Sequence, residues 1–142
     1  MEALAYIQGR SGIRGTVRFS QRGNGTLVTA RIYGLPPEGF FALHIHQGTN
    51  CGGVEYANTG SHFNPANLPH PKHAGDLPPL LSCHGRAYLS VLTDRFSTAE
   101  VIGRTVVIHS GPDDFTSQPA GNAGEKIACG LISRYPQPAM GR

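Results

Sequence analysis

The stretch Gly12-Ile13-Arg14-Gly15-Thr16-Val17-Arg18-Phe19-Ser20, then Gly23-Asn24-Gly25, then Thr26-Leu27-Val28-Thr29-Ala30-Arg31-Ile32-Tyr33, decides the fold. In the first run Ile13, Val17 and Phe19 fall on one side, the period of a half-buried strand. The glycines around Asn24 punctuate as a hairpin turn does, and the alternation then resumes. Outward from this hairpin the pattern repeats. Gly34-Leu35-Pro36-Pro37-Glu38-Gly39 reads as a loop and Phe40-Phe41-Ala42-Leu43-His44-Ile45-His46 as one further strand. Leu80-Leu81-Ser82-Cys83, Ala87-Tyr88-Leu89-Ser90-Val91-Leu92, Thr105-Val106-Val107-Ile108-His109 and Lys126-Ile127-Ala128-Cys129-Gly130-Leu131-Ile132 follow, with a tight turn at His84-Gly85-Arg86. About eight short strands and no helix make the expected fold all-β, an antiparallel sandwich or barrel.

Composition agrees. The 142 residues suit one domain spanning 1–142. Nineteen glycines and eleven prolines disfavour long helices and favour turns. No apolar run approaches the roughly 18 residues of a membrane span. A net charge of +3 is too small for the dense basic patch of a nucleic-acid binder, so neither membrane nor nucleic acid is expected as partner. Met1-Glu2-Ala3-Leu4-Ala5-Tyr6-Ile7-Gln8 lacks the basic and long apolar regions of a signal peptide. A cytoplasmic location is therefore expected, and a secreted form shortened by processing stays open.

Two stretches break the strand pattern. Residues 47 to 79 are rich in glycine and proline and show no helical period; residues 110 to 125 are similar. A long irregular loop in a small domain is either functional or disordered. The first loop carries His62, His70, His73 and Asp76 within fifteen residues. Three nitrogens and one oxygen suit tetrahedral zinc. His44 and His46 lie two apart on a strand, so both project from one face, roughly 7 Å apart along it, and can converge on one ion. His109 ends another strand. Of three cysteines, at most one pair can bridge internally. Cys83, on an apolar strand, is expected to be a buried, inert thiol. His84 is expected in a turn with no ligand role.

Five blocks carry a resemblance. Phe41-Ala42-Leu43-His44-Ile45-His46, Gly60-Ser61-His62-Phe63-Asn64-Pro65, His73-Ala74-Gly75-Asp76-Leu77, Gly103-Arg104-Thr105-Val106-Val107-Ile108-His109 and Gly121-Asn122-Ala123-Gly124-Glu125-Lys126-Ile127-Ala128-Cys129-Gly130 occur in the order found in Cu/Zn superoxide dismutases. The chain resembles that family over roughly residues 5 to 133. The resemblance implies an eight-stranded Greek-key sandwich or flattened barrel with two long functional loops. It implies copper on His44, His46, His62 and His109, and zinc on His62, His70, His73 and Asp76. His62 would bridge both ions as an imidazolate, and Asp113 would link a copper-binding to a zinc-binding histidine. Cys51 and Cys129 match the family's disulfide, which would close a loop of about 79 residues and contribute about 4 kcal/mol in chain-entropy terms. The implied reaction is dismutation: one superoxide reduces Cu(II) and leaves as O₂, and a second reoxidises Cu(I) and leaves with two protons as hydrogen peroxide. A dismutase-like copper and zinc binder without activity is the alternative. Family members pair as dimers through different surfaces or stay monomeric, so a homodimer is open.

Three departures from the family pattern matter. Lys126 stands where the family has an arginine that meets the substrate anion, keeping the charge but losing the planar fork. This implies a reduced rate. His70 and His73 are only three apart, so the Pro71-Lys72 turn must bring both rings to one ion, and His70 is the zinc ligand most exposed to loss. The loop from Ser110 to Glu125 has no lysine or arginine, and Asp113, Asp114 and Glu125 are expected to oppose Lys126 in steering an anion.

Overall fold

The structure is a computed structural model and describes residues 1–136. Nine strands make up the bulk of it: β1 (Glu2–Gly9), β2 (Arg14–Arg22), β3 (Gly25–Tyr33), β4 (Glu38–Phe41), β5 (Leu43–His46), β6 (Leu80–Cys83), β7 (Ala87–Thr93), β8 (Thr105–His109) and β9 (Lys126–Tyr135). Seven form one antiparallel sheet in the order β5-β8-β9-β1-β2-β3-β7, and β4 pairs with β6. β7 returns into β6 through the His84-Gly85 turn, and β4 runs on into β5 at Ala42. The small sheet is thus tied to both edges of the large one, which curls into a half-barrel.

The curl encloses one face of the sheet, with alternate residues buried along β1 and β3. Ala3, Ala5 and Ile7 of β1 meet Val17 and Phe19 of β2, Val28, Ala30 and Ile32 of β3, Leu43 and Ile45 of β5, and Val106 and Ile108 of β8. At roughly 25 cal/mol per Å² of apolar surface removed from water, this continuous core is what holds the sheet curled. The β2–β3 hairpin turns through Gly23-Asn24, with Arg22 opposite Gly25. Gly23 has φ +57°, a conformation that costs an L side chain but not glycine.

The structure corrects three sequence expectations and adds one strand. The run Phe40 to His46 is two strands in different sheets, not one. Ala42 sits at the joint because its N–H donates to Gly111 O (2.9 Å) and its carbonyl accepts from His109 N–H (2.9 Å), which redirects the chain from one sheet to the other. The N-terminal segment is a full strand in the middle of the large sheet, between β2 and β9. A one-turn helix, α1 (Thr98–Val101), is present, opened by a capping box in which the Ser97 side chain serves the Glu100 N–H and the Glu100 carboxylate accepts from Ser97 N–H. Cys83 is exposed rather than buried, because the period of β6 turns Leu80 and Ser82 inward and Leu81 and Cys83 outward.

Candidate metal centre

The site lies on the outer face of the sheet edge formed by β5 and β8. Leu43 and Ile45 point into the core, so alternation sends His44 and His46 the other way, over Val107 and Thr105 of β8. A bare edge strand would offer unpaired N–H and C=O groups to any passing strand. Here the first loop covers it. Ile45 N–H donates to Gly75 O (2.9 Å), Phe63 N–H to Ile45 O (2.8 Å) and Gln47 N–H to Ser61 O (2.9 Å). These bonds lay His62 against His46 and Asp76 against His44 as isolated bridges. Only glycine fits at position 75, where a Cβ would meet the Ile45 carbonyl.

Six histidines converge beneath the two loops, all 7% exposed or less. Two groups of four donors form, each with its atoms within 4.8 Å of one another: His44, His46, His62 and His109, and His62, His70, His73 and Asp76. His62 belongs to both. Its Nδ1 lies 3.0 Å from His73 Nδ1 and 2.7 Å from Asp76 Oδ1. Its Nε2 is buried without a hydrogen-bond partner. The Pro71-Lys72 turn brings His70 and His73 together: His70 Nδ1 is 3.0 Å and His73 Nδ1 3.2 Å from Asp76 Oδ2.

The hydrogen-bond pattern identifies which ring atoms are spare. His44 Nε2–H donates to Asp113 Oδ2 (2.9 Å) and His70 Nε2–H to Asp113 Oδ1 (2.7 Å). His46 Nδ1–H donates to Gly60 O (2.7 Å) and His109 Nδ1–H to Gly124 O (3.4 Å). A hydrogen-bond acceptor on one ring nitrogen sets the tautomer and leaves a lone pair on the other. Those other atoms are His44 Nδ1, His70 Nδ1, His46 Nε2 and His109 Nε2. The first two are buried with no hydrogen-bond partner, an arrangement that costs energy unless something else binds there. The last two face each other at 3.3 Å. Donors about 2.0–2.1 Å from a tetrahedral ion lie about 3.3–3.4 Å apart, close to the spacings seen here. The donor sets therefore fit metal ions. His44, His70 and Asp113 also form a close trio, but through the ring N–H groups rather than free lone pairs, so Asp113 is a link between the two sets.

Electrostatics keeps these donors ready. Burial lowers His44 and His46 from the ordinary 6.5 to about 2, and His109 to about 4, the Gly60 and Gly124 carbonyls only partly opposing this at His46 and His109. Burial likewise lowers His73, with Asp76 opposing. Burial would raise Asp76, but the bond from His62 and the neighbouring rings outweigh it, and the carboxyl ends below its usual range. Neutral imidazoles and an ionised carboxylate are the forms that bind metals.

Residues not singled out in the sequence hold this arrangement. Gln118 clamps the backbone of His70 from both sides, its Oε1 accepting from His70 N–H (2.9 Å) and its Nε2 donating to His70 O (2.6 Å). Arg95 Nη1 donates to Pro71 O (2.7 Å) and His73 O (3.1 Å), bracing the short turn. At Gly121, φ +76°, a Cβ would fall on Asp113 and His70. No local pattern announces Gln118 or Arg95, since each acts across more than twenty residues. The glycine of Gly121-Asn122-Ala123-Gly124 was at least visible as a turn signal.

The acids expected to oppose Lys126 each have partners of their own. Asp113 is buried between two imidazoles, and Glu125 pairs with Arg10 at 2.6 Å. Asp114 accepts from Thr116 and Ser117 and falls to about 2, chiefly through the Ser117 hydroxyl. The Cys51 and Cys129 sulfurs are bonded (Cα–Cα 5.9 Å), fastening the first loop to β9.

Comparison with known proteins agrees with this geometry. The family model for copper/zinc superoxide dismutase matches residues 13–132. "Superoxide dismutase [Cu-Zn] 2" of Aquifex aeolicus (strain VF5) is 36% identical, over 83% of this chain and 78% of the relative. "Superoxide dismutase [Cu-Zn] 3" of Arabidopsis thaliana is also 36% identical, over 93% of this chain and 90% of the relative. The strand-borne and loop-borne donors thus stand in a chain that belongs to the copper/zinc superoxide dismutase family.

Proposed function

We propose that the chain dismutates superoxide to O₂ and hydrogen peroxide, with copper held by His44, His46, His62 and His109 and zinc by His62, His70, His73 and Asp76. The observation that carries this is His62, which offers Nδ1 to one donor set while its buried Nε2, without a hydrogen-bond partner, faces the other. When bound, copper supplies a one-electron couple that takes an electron from one superoxide and gives it to a second, and zinc supplies a redox-inert charge.

The protein's part is positioning and attraction of the anion. His62 would couple the two sets, its Nδ1 lying among the zinc donors and its buried Nε2 being left for the copper donors. Asp113 joins His44 to His70, so the rings of the two sets are oriented together. Lys126 Nζ, part-buried beside the Gly60 carbonyl that His46 also uses, attracts the anion. A single lysine cannot form the two parallel bonds of a guanidinium, which supports a lower rate than an arginine would allow.

Metal analysis with a dismutase assay on copper- and zinc-loaded protein tests the reading. One equivalent of each metal with dismutation supports it. One equivalent of copper with no dismutation identifies a metal binder instead.

A further inference from the structure

Thr59 lies in the 3-10 turn Val54–Thr59 of the first loop and is fully buried. Its hydroxyl donates to Tyr56 O (2.8 Å), which fixes the hydroxyl rotor. The oxygen lone pair is thereby left for Lys126, whose Nζ donates to it at 2.8 Å. A second N–H of the same ammonium donates to Gly60 O at 3.1 Å. That carbonyl also accepts from His46 Nδ1–H at 2.7 Å. The Cys51–Cys129 disulfide ties this loop to the strand that Lys126 begins.

An ammonium has three donors on a flexible four-carbon stem. Two fixed acceptors leave one donor, and they leave it pointing in one direction. An arginine would be held by its own planarity; a lysine needs an external hold. We propose that Thr59 is the positioning residue that orients Lys126 toward the incoming anion, making up for the missing fork. This rests on the reading that Lys126 meets the anion.

The test uses Thr59→Val, close in shape but without the hydroxyl, in copper- and zinc-loaded protein. Thr59→Val should lower the second-order rate with superoxide about 3- to 10-fold and weaken azide binding, followed by copper absorption, by a similar factor. Metal content should be unchanged. Thr59→Ser, which keeps the hydroxyl, should restore both. In a Lys126→Ala background Thr59→Val should have no further effect. The proposal fails if Thr59→Val leaves rate and azide affinity unchanged, if Thr59→Ser does not restore them, or if the loss is as large without Lys126. Should Lys126→Ala itself change neither quantity, the reading of Lys126 falls, and the proposal falls with it. An effect of Lys126→Ala with none from Thr59→Val overturns the Thr59 role alone.

Discussion

The two halves of the centre are built from different material. His44, His46 and His109 stand on β5 and β8, where backbone pairing and a core of Leu43, Ile45, Val106 and Ile108 fix them. His62, His70, His73 and Asp76 stand on a loop with no ladder of its own, held by bonds to the β5 edge and by Gln118, Arg95 and Asp113. A strand positions a ligand through the fold as a whole, whereas a loop needs a dedicated partner for nearly every ligand. The strand half should respond chiefly to protons, and the loop half to loss of its braces.

Acid should produce the largest effect. His44, His46 and His109 have pKa values of about 2, about 2 and about 4 in the folded protein, below the ordinary 6.5. Between those values and 6.5 the unfolded chain binds the additional protons, so stability rises with pH and is lost as pH falls. Each ring contributes a slope of about 1.4 kcal/mol per pH unit where its protonation differs fully between the states. Urea unfolding of metal-free protein should show a midpoint that drops steeply from pH 6.5 toward pH 4. A flat midpoint would mean that the rings accept protons in place.

Next comes the link between the halves. Asp113→Ala leaves two buried ring N–H groups without their acceptor. Zinc affinity, measured by chelator competition, should fall about 10- to 100-fold. Copper affinity should fall less, because β5 still holds His44. Equal losses would erase the distinction between strand and loop.

Lys126 lies where the halves meet, and burial lowers its pKa below 10.5. The charged form exists below that pKa, so the rate should decline with rising pH earlier than a free lysine would titrate. Lys126→Arg should raise the second-order rate a few-fold, about 3-fold as an order of magnitude, and carry the alkaline limb higher. An unchanged or lower rate contradicts the role given to the lysine. The smallest effect is expected at Arg10, whose exposed pairing with Glu125 neutralises an acid beside Lys126. Arg10→Ala should lower the low-salt rate by about twofold or less, and the difference should vanish in high salt.

The strand half was the more legible in sequence, because alternation and the β2–β3 hairpin are local. The ligands of the loop half were legible as residue types, but their braces were not. Gln118 and Arg95 act through tertiary contacts, and Thr59 gains its role from a turn containing Glu55 and Tyr56 at positive φ. The division of Phe40–His46 at Ala42 also has a tertiary cause, the bonds to Gly111 and His109. Two features were written locally and overlooked: the Ser97-to-Glu100 capping box of α1, and the outward phase of Cys83 in β6.

The central claim is that His62 serves both halves at once. Anomalous scattering at the copper and zinc absorption edges, on crystals of the metal-loaded protein, tests it most directly. A copper peak should appear among His44, His46, His62 and His109 and a separate zinc peak among His62, His70, His73 and Asp76, with His62 between them. A single occupied position, or two peaks of which only one touches His62, would contradict it.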